Sequence, residues 1–317
     1  MTERPPASLP SELLAWSAER FPIAHAALFA VLYATALLFG RFLVFDGPLS
    51  IDPLPDLLGF LGAWAFFLML RIFDEHKDFD LDLLNHPDRV LQSGRITLAH
   101  LKVLGAGAIL LQAGVSLGFD GGVGPATVAW GLVILWSSLM AKEFFVGAWL
   151  EKRLVLYALS HMVVMPMALV WMAALGATPF SLPPTVGLLA LLSFLSGAAF
   201  EITRKTRGPE EERDTIQSYS RVFGTSRAPL VIGALLLSSA AVQVALLFVI
   251  TPGGPHPGWY VGLALPVLFA LVVLQGFRSA PSQGAREANE SAVSVAMLAS
   301  YVVVLAAMIA ARGLVWL

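Results

Sequence analysis

The sequence has no cysteine and few charged residues. The absence of cysteine among 317 residues excludes disulfide bonds and thiolate metal sites. Charged residues make up 13% of the chain, against about 25% in soluble domains, and hydrophobic residues make up 57%. The net charge of −2 gives no reason to expect a nucleic-acid partner. These features predict a polytopic membrane protein.

Long apolar stretches follow one another along most of the chain. A helix of about 20 apolar residues crosses the hydrocarbon core of a bilayer, and nine stretches of this kind are present. The predicted spans are residues 23–44, 54–75, 98–118, 125–147, 154–176, 184–205, 228–251, 258–277 and 291–313. We expect one all-α domain over residues 23–317. It is preceded by a cytoplasmic segment, residues 1–22, which we expect to form a short helix on the membrane surface.

Basic residues indicate how these spans are oriented. If the N-terminus is cytoplasmic, all 20 Lys and Arg except Arg41 and Arg312 fall on the cytoplasmic side, as the positive-inside rule requires. The two long polar breaks, residues 76–97 and 206–227, then face the cytoplasm, and the C-terminus lies outside. We therefore expect an integral membrane protein of a bacterial inner membrane.

Carboxylates are concentrated at the end of the second span. Asp74, Asp78 and Asp82 are four residues apart and Glu75 adjoins them, so on one helix these side chains share a face. Like charges placed in this way repel each other, and carboxylates at a helix C-terminus oppose the macrodipole. Mg²⁺ prefers such oxygen ligands together with substrate phosphates. The pattern therefore indicates that these four residues bind Mg²⁺; a solvated acidic helix end is the alternative.

The residues after these carboxylates, 85–97, read NHPDRVLQSGRIT. Together with the carboxylates they resemble the UbiA superfamily of intramembrane prenyltransferases. That family carries N-D-x-x-D-x-x-x-D at the end of the second helix and then a segment like N-R-P-x-R-P-L-P-S-G-R-I-S. Asp74 stands in the place of the family Asn and Glu75 in that of the first Asp, whereas Asp78 and Asp82 match directly. The later matches are Asn85, Pro87, Arg89, Ser93, Gly94, Arg95 and Ile96.

The resemblance carries expectations about fold and activity. It implies that the nine helices surround a central cavity open to the cytoplasmic leaflet. It also implies transfer of a prenyl group from a prenyl diphosphate to an aromatic or other lipophilic acceptor within the membrane, with Mg²⁺ as cofactor. The expected partners are therefore the prenyl diphosphate, this acceptor and membrane lipid, and nucleic acid is not among them.

The second polar loop departs from the family pattern. The family usually has R-E-I-x-K-D-x-x-D-x-x-x-D here. Glu201-Ile202 fits its opening, but Lys205 and Gly208 stand where aspartates are expected. Carboxylates return only at Glu210, Glu211, Glu212 and Asp214. A second metal site is thus either missing or rebuilt from Glu201 and this cluster, with Glu211 as the expected ligand. A solvated loop of mixed charge is the alternative.

Cationic side chains around the two loops are candidates for binding the diphosphate, Arg as a fork and Lys as a point charge. The residues expected to contact the diphosphate are Arg71, Arg89, Arg95, Arg204, Arg207 and Tyr219. Those expected to act in catalysis are Asp78, Asp82, Lys142 and Lys205. The alternative for the arginines is membrane-surface anchoring, and for Lys142 it is snorkelling beside Glu143. We expect His161 in the fifth span to be a hydrogen-bonded structural residue.

Two other classes of function stay open. In a divalent-cation transporter, the carboxylates would bind an ion for passage. Charged residues would then be expected deep within several helices, whereas here nearly all lie near the cytoplasmic edge. In a non-catalytic isoprenoid-binding membrane protein, the lipid would bind without reaction, and the altered second motif is compatible with this alternative.

Overall fold

The computed structural model describes residues 8–213 and 217–317, and helices dominate it. The helices are α1 (Leu9–Arg20), α2 (Ala26–Val44), α3 (Pro53–Lys77), α4 (Phe79–Asn85), α5 (Leu98–Asp120), α6 (Pro125–Ala141), α7 (Gly147–Leu150), α8 (Leu154–Met162), α9 (Val164–Ala177), α10 (Val186–Arg204), α11 (Tyr219–Phe223), α12 (Ala228–Ile250), α13 (Pro257–Ser279) and α14 (Gln283–Arg312). Short 3₁₀ turns cover Ile23–His25, Glu143–Phe145 and Pro209–Glu211. The strands are β1 (Leu49–Ile51) and β2 (Leu314–Trp316).

The long helices confirm the predicted all-α polytopic fold. Within the described ranges, eight helical segments are long and apolar enough to cross a bilayer. They are Ile23–Val44, Pro53–Lys77, Leu98–Asp120, Leu154–Ala177, Val186–Arg204, Ala228–Ile250, Pro257–Ser279 and Gln283–Arg312. The predicted fourth span corresponds to α6, which is apolar but shorter. Each of the nine predicted spans therefore has a helical counterpart.

The fourth span ends earlier than its hydrophobicity predicts. The sequence indicates a span to residue 147, but α6 ends at Ala141. Glu143, Phe144 and Phe145 have φ angles of 48°, 53° and 58°, in the left-handed region that is unfavourable for residues other than glycine. The residues after Glu143 are apolar, so the hydrophobic pattern continues past the end of the helix. Hydrophobicity alone does not indicate whether the backbone is helical. The chain thus leaves the helix close to the carboxylates and cations described below.

Helix α9 lies in the centre of the bundle. Its residues from Leu169 to Met172 include Trp171, which is completely buried. A Cβ atom added to Gly40 of α2 would lie 1.9 Å from the Ala173 carbonyl oxygen, and one added to Gly176 would lie 2.0 Å from the Leu37 carbonyl oxygen. The two helices therefore pack backbone against backbone, as small residues allow in membrane bundles.

A short ladder closes the bundle at the end opposite the two polar loops. Strand β1 follows α2, β2 follows α14, and they pair in parallel with Leu49 opposite Leu314. Beside the ladder, the Arg312 guanidinium donates to the Phe45 carbonyl oxygen. The first and last membrane helices are thus joined by backbone hydrogen bonds.

The N-terminal segment forms a helix, α1. Trp16 on its inner face is 1% exposed and packs in a cluster with Ile72 and Val90. Leu14 on the outer face is 71% exposed. Helix α1 therefore packs directly against the end of α3 and the first polar loop. Residues 1–7 of the predicted segment lie outside the described ranges.

Candidate active site

The carboxylates of the first motif lie where two helices meet. Helix α3 ends at Lys77, α4 begins at Phe79, and Asp78 between them has φ −97° and ψ 7°. Backbone hydrogen bonds of 2.8 Å still link Asp78 N–H to the Asp74 carbonyl and Asp82 N–H to the Asp78 carbonyl. The single helix predicted for these residues is therefore replaced by two helices with a bend at Asp78, which turns the four carboxylates to different neighbours.

Two of the four carboxylates are held by arginines. Glu75, whose side chain is fully buried, accepts from Arg20 Nε at 2.7 Å and from Arg71 Nη2 at 2.5 Å. Asp82 lies 3.2 Å from Arg20 Nη2 and 2.9 Å from Arg89 Nη1. The predicted diphosphate ligands Arg71 and Arg89 are thus engaged with predicted metal ligands. Arg20, which reaches both carboxylates from α1, was not identified from the sequence.

Helix α1 also positions the arginines of the first polar loop. Glu19 Oε1 lies 3.6 Å from Arg89 Nε, and its Oε2 accepts from the Val90 backbone N–H at 3.1 Å. Glu12 lies 2.5 Å from Arg95 Nη2, and the Arg95 side chain is 47% exposed. The segment after α4 is therefore fixed to α1 by ion pairs as well as by the packing of Trp16.

Asp74 and Asp78 are the carboxylates left for a metal ion. In the described part of the chain Asp74 has no cationic partner within 4 Å, and Asp78 has only Lys77 Nζ at 3.8 Å. Partial burial raises the pKa of Asp78, Lys77 opposes this, and the charges of Asp74 and Asp82 raise it further. A cation beside these carboxylates would relieve the unfavourable charge. One or two carboxylates with phosphate oxygens suffice for Mg²⁺, so this pair fits the ion.

Tyr157 of α8 connects this motif to its neighbours. Its hydroxyl accepts from Lys77 Nζ at 2.9 Å and donates to Glu143 Oε1 at 3.3 Å. Lys77 Nζ lies 5.6 Å and Lys205 Nζ 5.7 Å from the centroid of its ring. The Tyr157 ring thus lies close to one cation from α3 and one from the end of α10. No signal in the sequence marks Tyr157, because the contact joins residues 80 positions apart.

His161 is hydrogen-bonded, as expected. Its ring stacks on Tyr157 with 4.0 Å between centroids, and its Nδ1 lies 2.7 Å from the Tyr157 carbonyl oxygen. It therefore supports the position of the tyrosine.

The start of the second polar loop faces the same region. Glu201, near the end of α10, lies 2.9 Å from Arg204 Nη2 and 2.6 Å from Lys205 Nζ. Arg204 is also close enough to Asp74 for the two charges to interact. The structure thus brings Arg204 of the second loop towards Asp74 of the first motif, and it pairs the predicted metal ligand Glu201 with two cations.

A polar pocket of about 370 Å³ lies beside these residues. Its lining consists of Arg204, Lys205, Arg207, Glu211, Gln217, Arg286 and Glu290. Arg286, from the first turns of α14, contacts Glu211 at 2.8 Å and Glu290 at 2.6 Å. The predicted metal ligand Glu211 is thus held by an arginine that sequence reasoning missed. Asp214 of the predicted acidic cluster lies outside the described residues.

The side chains of two further candidates make none of these ion pairs, although the Tyr219 backbone N–H donates to the Lys205 carbonyl oxygen at 2.9 Å. Lys142 caps the end of α6 with an exposed side chain, and Glu143 beside it turns to Tyr157 instead of pairing with it. Tyr219 is 1% exposed and stacks on Phe223 with 5.9 Å between ring centroids. Tyr219 is thus buried like an aromatic residue of the core, and this burial raises the pKa of its hydroxyl.

Across the described ranges, no three His, Asp or Glu side chains come together as a ready-made metal site. The arrangement instead offers a two-carboxylate site at Asp74 and Asp78, opposite cations at the start of the second loop. The molecule is therefore a helical membrane protein whose charged groups meet at one end of the bundle.

The chain belongs to the UbiA prenyltransferase family. The sequence pattern of that family matches residues 31–290, which contain both polar loops but only the first eight of the 30 residues of α14. Membership supports intramembrane prenyl transfer as the general activity. No curated protein sequence matches the chain significantly.

Solved structures of two proteins share the fold. One, described under "Structural and mechanistic insights into the biosynthesis of Digeranylgeranylglyceryl phosphate synthase in membranes", has a TM-score of 0.66 and 18% identity, with 94% of this chain and 99% of that chain covered. The other, an apo UbiA homolog from Aeropyrum pernix K1, has a TM-score of 0.62 and 14% identity, covering 91% and 98%. At these identities the likeness establishes the architecture.

Proposed function

We propose that this protein transfers a prenyl group from a prenyl diphosphate to an aromatic or other lipophilic acceptor in a Mg²⁺-dependent reaction. The observation that carries the proposal is that Lys77, 3.8 Å from Asp78, and Lys205 both lie over the Tyr157 ring, while Arg204 is close enough to Asp74 for their charges to interact. Carboxylates suited to Mg²⁺ and cations suited to phosphate oxygens are the two parts that a metal-bound diphosphate requires.

The residues around this site have separate tasks. Asp74 and Asp78 would hold Mg²⁺, which when bound supplies positive charge to the departing diphosphate. Lys77 and Lys205, both over the Tyr157 ring, add positive charge. Arg20 and Arg71 hold Glu75, so in this proposal Glu75 positions the end of α3 and is not itself a metal ligand. Asp82 pairs with Arg89 and so positions the first polar loop.

The membrane environment protects the reaction. The allylic cation left when the diphosphate departs reacts with water unless apolar walls exclude it, and the helices around the site are apolar. We propose that the N-terminus and both polar loops face the cytoplasm of a bacterial cell, with the C-terminus outside, because this orientation satisfies the positive-inside rule.

The first test is an Asp78→Asn variant. We expect binding of geranylgeranyl diphosphate by purified protein in detergent to require Mg²⁺, and the variant to bind at least about 100-fold more weakly, because the ion loses one of two carboxylates. Isothermal titration with Mg²⁺ and with EDTA measures this. Turnover with a panel of lipophilic acceptors should fall in parallel.

The matched control is Asp80→Asn. Asp80 lies two residues away at the exposed start of α4, so this change removes the same charge without touching the site and should leave binding intact. Retained turnover in Asp78→Asn would contradict the assignment. Binding by the wild type without transfer to any acceptor would instead favour an isoprenoid-binding protein.

A further inference from the structure

The polar pocket beside the second polar loop, between the end of α10 and the start of α14, is rich in cations. We call it the basic pocket. Arg204, Lys205, Arg207 and Arg286 line it, against the two carboxylates of Glu211 and Glu290. Four cations around a volume of about 370 Å³ favour a compact anion over a neutral or cationic ligand.

The carboxylates of the basic pocket are turned towards Arg286. Glu211 Oε1 accepts from Arg286 Nε at 2.8 Å, while its Oε2 accepts from the Gly208 N–H at 3.1 Å. Glu290 Oε1 accepts from Arg286 Nη1 at 2.6 Å. Both carboxylates thus pair with Arg286, as does Glu287 Oε1 at 3.3 Å from its Nη2, so a metal ion bound to either of them would compete with that arginine.

Arg204, Lys205 and Arg207, the other cations of the basic pocket, can still bind phosphate oxygens. In the described ranges Arg207 has no ion-pair partner, and its guanidinium makes only one long hydrogen bond of 3.3 Å, to the Glu211 carbonyl oxygen. Lys205 and Arg204 share the single carboxylate of Glu201. On this side of the basic pocket Arg204, Lys205 and Arg207 are therefore matched, among the described residues, by the one carboxylate of Glu201.

We propose that the basic pocket binds the terminal phosphate of the prenyl diphosphate directly, through Arg207, Lys205, Arg204 and Arg286, without a second metal ion. A single Mg²⁺ at Asp74 and Asp78 then completes the site. This inference rests on the proposed function. It follows from the sequence as well, because Lys205 and Gly208 stand where metal-binding carboxylates would be needed, and a lysine supplies at that point the charge that a metal would have supplied.

The test measures binding of inorganic pyrophosphate to purified protein by equilibrium dialysis, with EDTA and with Mg²⁺. We expect the wild type to bind pyrophosphate in EDTA and to bind it more tightly with Mg²⁺. Arg207→Gln should weaken binding about tenfold or more under both conditions, because a charge-assisted contact is lost. Asp78→Asn should abolish only the gain from Mg²⁺.

The control variant is Arg278→Gln. Arg278 is an exposed arginine at the end of α13 that donates to Gln275 Oε1 at 3.4 Å, away from the lining of the basic pocket, and its loss should leave pyrophosphate binding unchanged. Electron paramagnetic resonance with Mn²⁺ in place of Mg²⁺ should count one bound ion for each bound pyrophosphate.

Three results would overturn the proposal: no binding in EDTA, wild-type affinity in Arg207→Gln, or two Mn²⁺ ions in the complex. The result of this binding test can be distinguished from the result of the prenyl-transfer test. Pyrophosphate binding in EDTA without prenyl transfer would retain the basic pocket and reject the transferase, and prenyl transfer with two Mn²⁺ would do the reverse.

Discussion

Asp78 combines a structural cost with the proposed role in binding metal. Its pKa lies above the ordinary value of 3.8, first because the carboxyl is partly buried and then because Asp74 and Asp82 are close. The folded protein therefore holds this proton more tightly than the unfolded chain. The contribution of Asp78 to stability is complete below the ordinary pKa and is lost as the pH rises through the raised value.

It follows that Asp78→Asn should raise the melting temperature at pH 7 in the absence of divalent cations, while it reduces metal binding. The rise should be modest, because the side chain is 45% exposed, and it should shrink as the pH falls towards 4. Thermal unfolding in detergent at several pH values measures both effects. A lower melting temperature for the variant at pH 7 would show that the carboxylate stabilises the fold.

Some residues of the candidate site could be predicted from the sequence, and others could not. The carboxylates and loop cations could be found because they are close in sequence and follow a recognisable spacing. Arg20 and Tyr157 could not be found in this way, since their contacts to Glu75 and Lys77 join residues 55 and 80 positions apart. Packing between helices creates these pairs, and no local pattern encodes it.

Among the elements, α1 is the one whose importance the sequence understates. It lies outside the spans, yet its Arg20 side chain is only 17% exposed and supplies one of two arginines to a fully buried glutamate. Removing one partner of such a buried pair is more harmful than removing both, because it leaves an uncompensated charge.

Arg20→Gln should therefore destabilise the protein by about 3 kcal/mol, reduced by the remaining contact of Glu75 with Arg71. Adding Glu75→Gln to this variant should restore part of the loss. Chemical denaturation of the two single variants and the double variant gives the coupling energy. Additive losses, with no recovery in the double variant, would argue against the ion pair as the source of stability.

Element boundaries show the same limit of sequence patterns. Each of the nine predicted spans corresponds to a helix in the described ranges, because long hydrophobic stretches indicate segments buried in lipid. The end of α6 was not, because Phe144 and Phe145 are apolar but left-handed. That departure from the helix turns Glu143 towards Tyr157, so the error lies beside the candidate site, where local preference and the native backbone often disagree.

At the scale of the whole molecule, the close approach of α2 and α9 holds the bundle together. Gly176→Ala should destabilise the fold by about 1–3 kcal/mol, since its Cβ would lie 2.0 Å from the Leu37 carbonyl oxygen. Gly187→Ala in α10 is the control, because a Cβ there meets nothing within 4 Å and alanine favours the helix. Melting temperatures should move in opposite directions, and a shared upward shift would contradict tight packing.

The ladder between β1 and β2 has a consequence for biosynthesis. Its partners, such as Leu49 and Leu314, are separated by nearly the whole chain, and chains emerge from the ribosome N-terminus first. Strand β1 must therefore wait with unpaired backbone groups until α14 has been inserted and β2 has been made. The ladder therefore forms only after insertion of α14, and a ribosome stalled before residue 314 would carry a helical bundle whose first and last membrane helices are not yet joined by these hydrogen bonds.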